Sequence, residues 1–315
     1  MNDQQIKFYD STVLKIKPDK RDEYLGQADH LISRLQTKIN AETSFGVRKF
    51  IKTGSLIKGT ALKPRDDVPV DFDIAVALDV SEAHKDDIAG LHAKIRKLLI
   101  AIYPQKKAED FEVQPRTLGI EFRVSGLCVD LVPIVPIPSK PGFAWQPSSE
   151  GQPPIQTNIQ GQLDFLKARR ERDSNYRILV RVLKRWRNFK ELWQLGSFSI
   201  ELILAHLQDT QGNPANLEIG ITRFFLFLAQ AQLKQKISFK ENGLVTNFPN
   251  DPVVILDPVN STNNVTRRIS DLERNEIIQE AERAWEAVST ASHNGFKGET
   301  IEFWRTVFGR GFVIE

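Results

Sequence analysis

The chain has 315 residues, 41% of them hydrophobic and 26% charged, with a formal net charge of +3; this is enough material for a sizeable buried core, and the charge is too mild to argue for nucleic acid by itself. No run approaches the roughly 20 apolar residues that a membrane-spanning helix requires. A single cysteine, Cys128, excludes an internal disulfide and any Cys-rich zinc module, and the histidines are scattered without ligand spacing.

Apolar residues recur at near-helical spacing from Lys20 to Arg48 (Leu25, Ala28, Leu31, Ile32, Leu35, Ile39), which predicts a long helix leading to a small-residue turn at Gly54-Ser55. A strand follows over 71–79, then a helix near 85–102 closed by Tyr103-Pro104. Residues 111–136 read as β structure, with a tight turn at Ser125-Gly126. The Pro-rich segment 133–162 reads as an ordered crossing. Helices are expected over 160–172, 174–190, 197–210, 219–234 and 270–291. The fold class is therefore α+β: a core of mixed sheet over residues 1–160 and a helical lobe over 161–315, with an active-site cleft expected between the two lobes. The polar amino-terminal stretch lacks a secretory apolar segment, so a cytoplasmic protein without membrane contact is expected.

Asp71 and Asp73 stand two residues apart in the strand 71–79. Alternation points both to one face while Phe72 and Ile74 enter the core. Two carboxylates on one face are costly unless a cation lies between them, and a pair of Mg²⁺ or Mn²⁺ ions gripping a triphosphate is one use of such a cluster. That reading asks for a third carboxylate on a neighbouring strand, and Asp130, set among apolar neighbours, supplies it. Singly, each of these residues reads as a strand-edge or turn carboxylate; together, behind a Gly-Ser turn, they point to metal-dependent nucleotidyl transfer. Cys128 reads as a packing thiol.

The order Gly54-Ser55, Asp71-x-Asp73 and Val129-Asp130-Leu-Val-Pro133, with the later Leu256-Asp-Pro-Val-Asn-Ser-Thr-Asn-Asn-Val265, resembles the nucleotidyltransferases related to 2′-5′ oligoadenylate synthetase and cyclic GMP-AMP synthase. Among these it is most similar to the bacterial CD-NTases of anti-phage CBASS defence, over almost its whole length. The resemblance implies a polymerase-β-like core and synthesis of a cyclic di- or trinucleotide from NTPs (ATP, GTP, UTP or CTP), with a downstream effector activated by the product. It implies metal binding at Asp71, Asp73 and Asp130, and a triphosphate over Gly54 and Ser55. In the helical lobe it implies triphosphate contacts from Lys184 and Ser197 and a nucleobase stacked on Phe198, where relatives carry an aromatic residue. Without the resemblance, Lys184 reads equally as a solvated lysine, Ser197 as a helix N-cap and Phe198 as a core aromatic. Transfer of one nucleotide to tRNA, protein or a small molecule, and a nucleotide-binding module without turnover, are the alternative functions.

Three further features carry expectations. Residues 167–190 hold ten Lys or Arg against Glu171 and Asp173. They fit either a nucleic-acid activator or a helix whose stripe Tyr176, Leu179, Val180, Leu183 and Trp186 is buried while the basic residues face solvent or substrate phosphates. The turn-rich 256–265 segment is read as structural, Asp257 included. The end of the chain, 309–315, reads as accessible and extended, and the resemblance makes it a place for a regulatory partner.

Overall fold

The structure is a computed structural model that describes all residues except 65–67, 115–116, 149–152, 245, 295 and 315. Its contacts divide the chain into two units, Ile16–Leu163 and Met1–Lys15 with Asp164–Glu315.

The first unit is built on a mixed seven-stranded sheet. Strands β1 (Gly46–Thr53), β2 (Val70–Asp79), β3 (Phe111–Val113), β4 (Leu118–Phe122) and β5 (Leu127–Pro136) run in the order β1-β2-β5-β4-β3, with β6 (Ala144–Gln146) paired to β5 and β7 (Ile155–Thr157) to β6. Only β2 and β5 run parallel, and they place Asp71 beside Cys128 and Asp73 beside Asp130. Alternation gives β2 and β5 one apolar face: Phe72, Ile74, Val129 and Leu131 are fully buried. That face joins Leu31, Leu35 and Ile39 of α2 (Pro18–Glu42) and Leu91, Ile95 and Leu99 of α4 (Ile88–Ile102) in one core cluster. Each such side chain contributes about 1.5–3 kcal/mol on burial.

The helix expected to reach Arg48 ends at Glu42. Thr43 takes an extended conformation, and its hydroxyl donates to the carbonyls of Ile39 and Phe45. Beyond it, Gly46–Thr53 pairs with β2 because Val47, Phe50 and Ile51 suit a half-buried pleat. The Pro-rich 133–162 segment likewise contains β6 and β7; of it, residues 149–152 lie outside the described residues.

The second unit is helical, with α1 (Asp3–Tyr9), α5 (Ile159–Arg172, entered from the first unit), α6 (Tyr176–Phe189), α7 (Ser197–Gln211), α8 (Leu217–Ala231), α9 (Asp271–His293) and α10 (Lys297–Phe308). By contacts, residues 1–15 group with the helices, and the chain passes between the units after Leu163. Asp10 makes two 2.6 Å bonds to Arg181 with both side chains buried, and Asp3 accepts from the Leu217 amide at 2.7 Å. On α6 the expected stripe Tyr176, Leu179, Val180, Leu183 and Trp186 is buried. The start of α9 carries a reciprocal cap, Ser270 with Glu273. The 256–265 segment forms a hairpin, β8 (Leu256–Asp257) with β9 (Asn260–Asn264). Asp257 is buried there, accepting from the Val259 amide and the Asn263 side chain. Among the described residues no helix is long and apolar enough to cross a membrane.

The accessible tail is corrected at Phe312, which is fully buried. Its ring stacks 5.4 Å from Trp304 and lies 4.6 Å from Tyr9, and its carbonyl accepts from Arg305. A large aromatic gains more from this cluster than from water. Phe312→Ala is therefore expected to cost about 3–5 kcal/mol of stability, read as a lowered denaturation midpoint; an unchanged midpoint would place the ring outside the core.

Candidate active site

The face of β2 and β5 opposite the core carries Asp71, Asp73 and Asp130. Asp71 is exposed, whereas Asp73 and Asp130 are half-buried neighbours on parallel strands about 5 Å apart. Strand β1 delivers the turn beside them, since Thr53 pairs with Asp73 and the chain then enters the short helix α3 (Gly54–Lys58). Gly54 has φ 77°, a left-handed conformation that only glycine adopts at little cost. A Cβ there would sit 1.8 Å from Asp73 Oδ2, so the missing side chain makes room for the carboxylate. The Ser55 carbonyl accepts from the amides of Thr60 and Ala61, which closes the turn.

Burial raises the Asp130 carboxyl to a pKa of about 7, with the charges of Asp73, Asp71 and Glu112 adding to the effect. Glu112 was not anticipated from the sequence. It stands on β3 across Gly119, which faces both Glu112 and Asp130 in the ladder. The signal was present in the alternation of the 111–136 run, with a side-chain-free position in the intervening strand. Burial, with the charges of Asp130, Asp71, Glu112 and Glu121, pushes the Cys128 thiol up to about 12, so the free thiol stays protonated.

The donor set consists of hard carboxylate oxygens, the ligand type that Mg²⁺ and Mn²⁺ prefer. Among the described residues no three Asp, Glu, His or Cys side chains already converge closely enough to hold an ion. The residues fit a divalent cation in their chemistry: hard carboxylate oxygens on one sheet face.

Of the remaining candidates, Lys184 is buried on α6, Ser197 opens α7, and Phe198 follows it, half-buried; all three lie in the helical unit. Ser197 is the first helical residue, and the cap position falls to Gly196. Lys184 is not a solvated lysine, and the basic run as a whole does not form a solvated face. Arg169 is buried and bonded to Asp209 and Glu241, Arg181 is bonded to Asp10, and Lys190 is paired with Glu280.

No protein-family model matches the chain. A CBASS oligonucleotide cyclase CdnC of Escherichia coli strain KTE188 is 39% identical over 311 residues, covering 99% of this chain and 97% of that protein. The chain belongs to the CdnC family of CBASS oligonucleotide cyclases. A second CdnC-like relative, a cyclic AMP-AMP-AMP synthase of E. coli strain MS 115-1, is 32% identical over 302 residues, covering 93% and 92% of the two chains. The CdnC fold is also seen in the solved E. coli MS115-1 CdnC with ATP, which is 29% identical over 99% of both chains with a TM-score of 0.86. That CdnC solved with HORMA-deltaN gives 0.84 at 28% identity, covering 99% and 98%.

Because Asp130 is held near neutrality while an unfolded Asp titrates near 3.8, the native protein binds a proton that the unfolded chain has lost between about pH 4 and pH 7. In cation-free buffer this CdnC-family chain should therefore lose stability as pH rises through that window. Asp130→Asn removes the loss: the variant is expected to gain on the wild type from about pH 4 to pH 7, reaching on the order of 2–3 kcal/mol, and to hold that advantage above. A pH-independent difference between the two proteins would contradict the assignment.

Proposed function

We propose that this chain joins nucleoside triphosphates, ATP among them, into a cyclic oligonucleotide with release of pyrophosphate, as a second messenger of CBASS anti-phage defence. The observation that carries the reading is 39% identity to a CdnC cyclase over 99% of the chain, together with three carboxylates on one sheet face beside the Gly54 turn. ATP is favoured because one relative is a cyclic AMP-AMP-AMP synthase and another was solved with ATP.

In the proposed step a ribose hydroxyl oxygen attacks the α-phosphorus of a triphosphate. The new P–O bond forms as the α–β bridging bond breaks, and pyrophosphate leaves with that electron pair. Asp130 takes the hydroxyl proton, as the carboxylate placed to act as general base beside the attacking ribose. Gly54 lets the backbone approach phosphate oxygens, and Ser55 offers a hydroxyl donor. Asp71, Asp73 and Asp130 would hold two Mg²⁺ or Mn²⁺ ions, which when bound supply charge neutralisation for the triphosphate and lower the pKa of the attacking hydroxyl. In the helical unit, Lys184 and Ser197 are assigned to phosphate and Phe198 to a nucleobase face. A HORMA-domain protein is proposed as regulatory partner, since a relative was solved with HORMA-deltaN, and a nucleotide-gated effector as the receiver of the product.

Purified protein given all four NTPs with Mg²⁺ or Mn²⁺, with and without a HORMA-domain partner, then phosphatase, should leave a resistant cyclic species identifiable by mass spectrometry. The species should vanish in Asp71→Asn/Asp73→Asn. A product that survives in that variant, or transfer of single nucleotides to a macromolecule instead, would refute the reading.

Gly54→Ala tests the turn separately. The added methyl would displace Asp73, so activity should fall by about a hundredfold or more while the melting temperature drops by only a few degrees. Near-normal turnover in this variant would detach the turn from the chemistry.

A further inference from the structure

Arg187, partly buried on α6, differs from the buried Arg169 and Arg181 of the helical unit. Arg169 meets Asp209 and Glu241, and Arg181 meets Asp10. The hydrogen bonds of Arg187 go only to neutral oxygens: Nε donates to Asn188 Oδ1 at 2.7 Å, Nη1 to the Leu195 carbonyl at 3.2 Å, and Nη2 to Ser197 Oγ at 3.4 Å, while the guanidinium carbon lies 5.6 Å from the exposed Trp193 ring. Among the described residues it makes no ion pair. Glu191, the carboxylate closest to it in sequence, is exposed in the turn after α6, at φ 56°, and does not pair with it. Burial lowers its pKa to about 10 with no carboxylate to offset the effect.

A guanidinium partly withdrawn from water without a counter-charge is a costly arrangement, and neutral acceptors fix its orientation without cancelling its charge. Such a group is completed by an anion. Its planar fork of donors matches phosphate, its longest bond goes to Ser197, and Lys184 lies one turn back on the same side of α6. The long Nη2–Ser197 contact is the one that an incoming phosphate oxygen could replace at least loss.

We propose that Arg187 is a further phosphate-binding residue of this cyclase, gripping the polyphosphate of a nucleotide together with Ser197. The proposal rests on the reading of Ser197 as a phosphate contact. It assigns the charge to the ligand and the Leu195 and Asn188 bonds to orientation.

The test is thermal denaturation of the full chain with and without sodium tripolyphosphate, which carries the charge without base or sugar. The panel is wild type, Arg187→Gln, Arg187→Lys and Ser197→Ala. Tripolyphosphate is expected to raise the wild-type midpoint, less so at high salt. Arg187→Gln should melt at or above the wild type without ligand, because an uncompensated charge is gone, yet lose the tripolyphosphate shift. Arg187→Lys should keep part of it. With ATP, Arg187→Gln should raise KM roughly tenfold to a hundredfold and change kcat less.

If Arg187→Gln keeps the full shift while Ser197→Ala loses it, Arg187 is a brace and the proposal falls with the Ser197 reading intact. Full shifts in both variants would sink both. Absence of any wild-type shift would also overturn the proposal. Where Gln lowers the ligand-free midpoint, Arg187→Lys decides: an undiminished shift overturns the proposal and a diminished one upholds it.

Discussion

Repulsion among carboxylates gathered on one face of the β2–β5 pair is the constraint around which the first unit is organised. Parallel register sets Asp73 directly beside Asp130, with Asp71 two residues back and Glu112 two strands away across Gly119. Separated like charges would drift apart in a flexible loop. Here they are held by the backs of their own strands, where Phe72, Ile74, Val129 and Leu131 are locked into the core formed with α2 and α4. Apolar burial on one face therefore sustains an unfavourable charge density on the other. The Asp130 carboxyl registers both sides of that arrangement: burial raises its pKa first, and the acidic neighbours add to it.

Much of this was legible in the sequence because strand alternation is a strong rule. An Asp-x-Asp spacing in an apolar run states which face the carboxylates share, and Asp130 in Cys-Val-Asp-Leu-Val does the same on the partner strand. The pairing of those strands is not local information. That Asp73 meets Asp130, and not a residue two positions away, depends on parallel register fixed by the whole sheet. Glu112 escaped notice for the same reason: β3 is three residues long, and its relation to Asp130 exists only through the bare backbone of Gly119.

The errors at the element level have local causes. The apolar stripe of α2 stops at Ile39, and Glu42, Thr43 and Gly46 stand at the next positions in phase, so a boundary at Arg48 ran past the stripe. Thr43 ends it by turning its hydroxyl onto the carbonyls of Ile39 and Phe45, a competition between side chain and backbone that periodicity does not register. Residues 1–15 were assigned with the sheet by proximity in sequence. A single buried pair between Asp10 and Arg181, 171 residues apart, outweighs that proximity, because either charge left alone in the interior would cost about 3–5 kcal/mol.

The helical unit follows the opposite electrostatic rule from the sheet. Its basic run looked like a surface for a polyanion, yet Arg169, Arg172, Arg181 and Lys190 each end on a carboxylate. Net charge over a segment is therefore a poor guide to what the segment binds: pairing removes most of it before any ligand arrives. What matters is the charge left over after pairing. On the sheet Asp130 keeps a raised proton affinity that no opposite charge lowers; in the helical unit Arg187 has only neutral acceptors, Ser197 among them. In the proposed reaction a nucleotide's polyphosphate with its divalent cations carries both signs in one ligand, so one class of substrate would answer the electrostatics of each unit taken by itself.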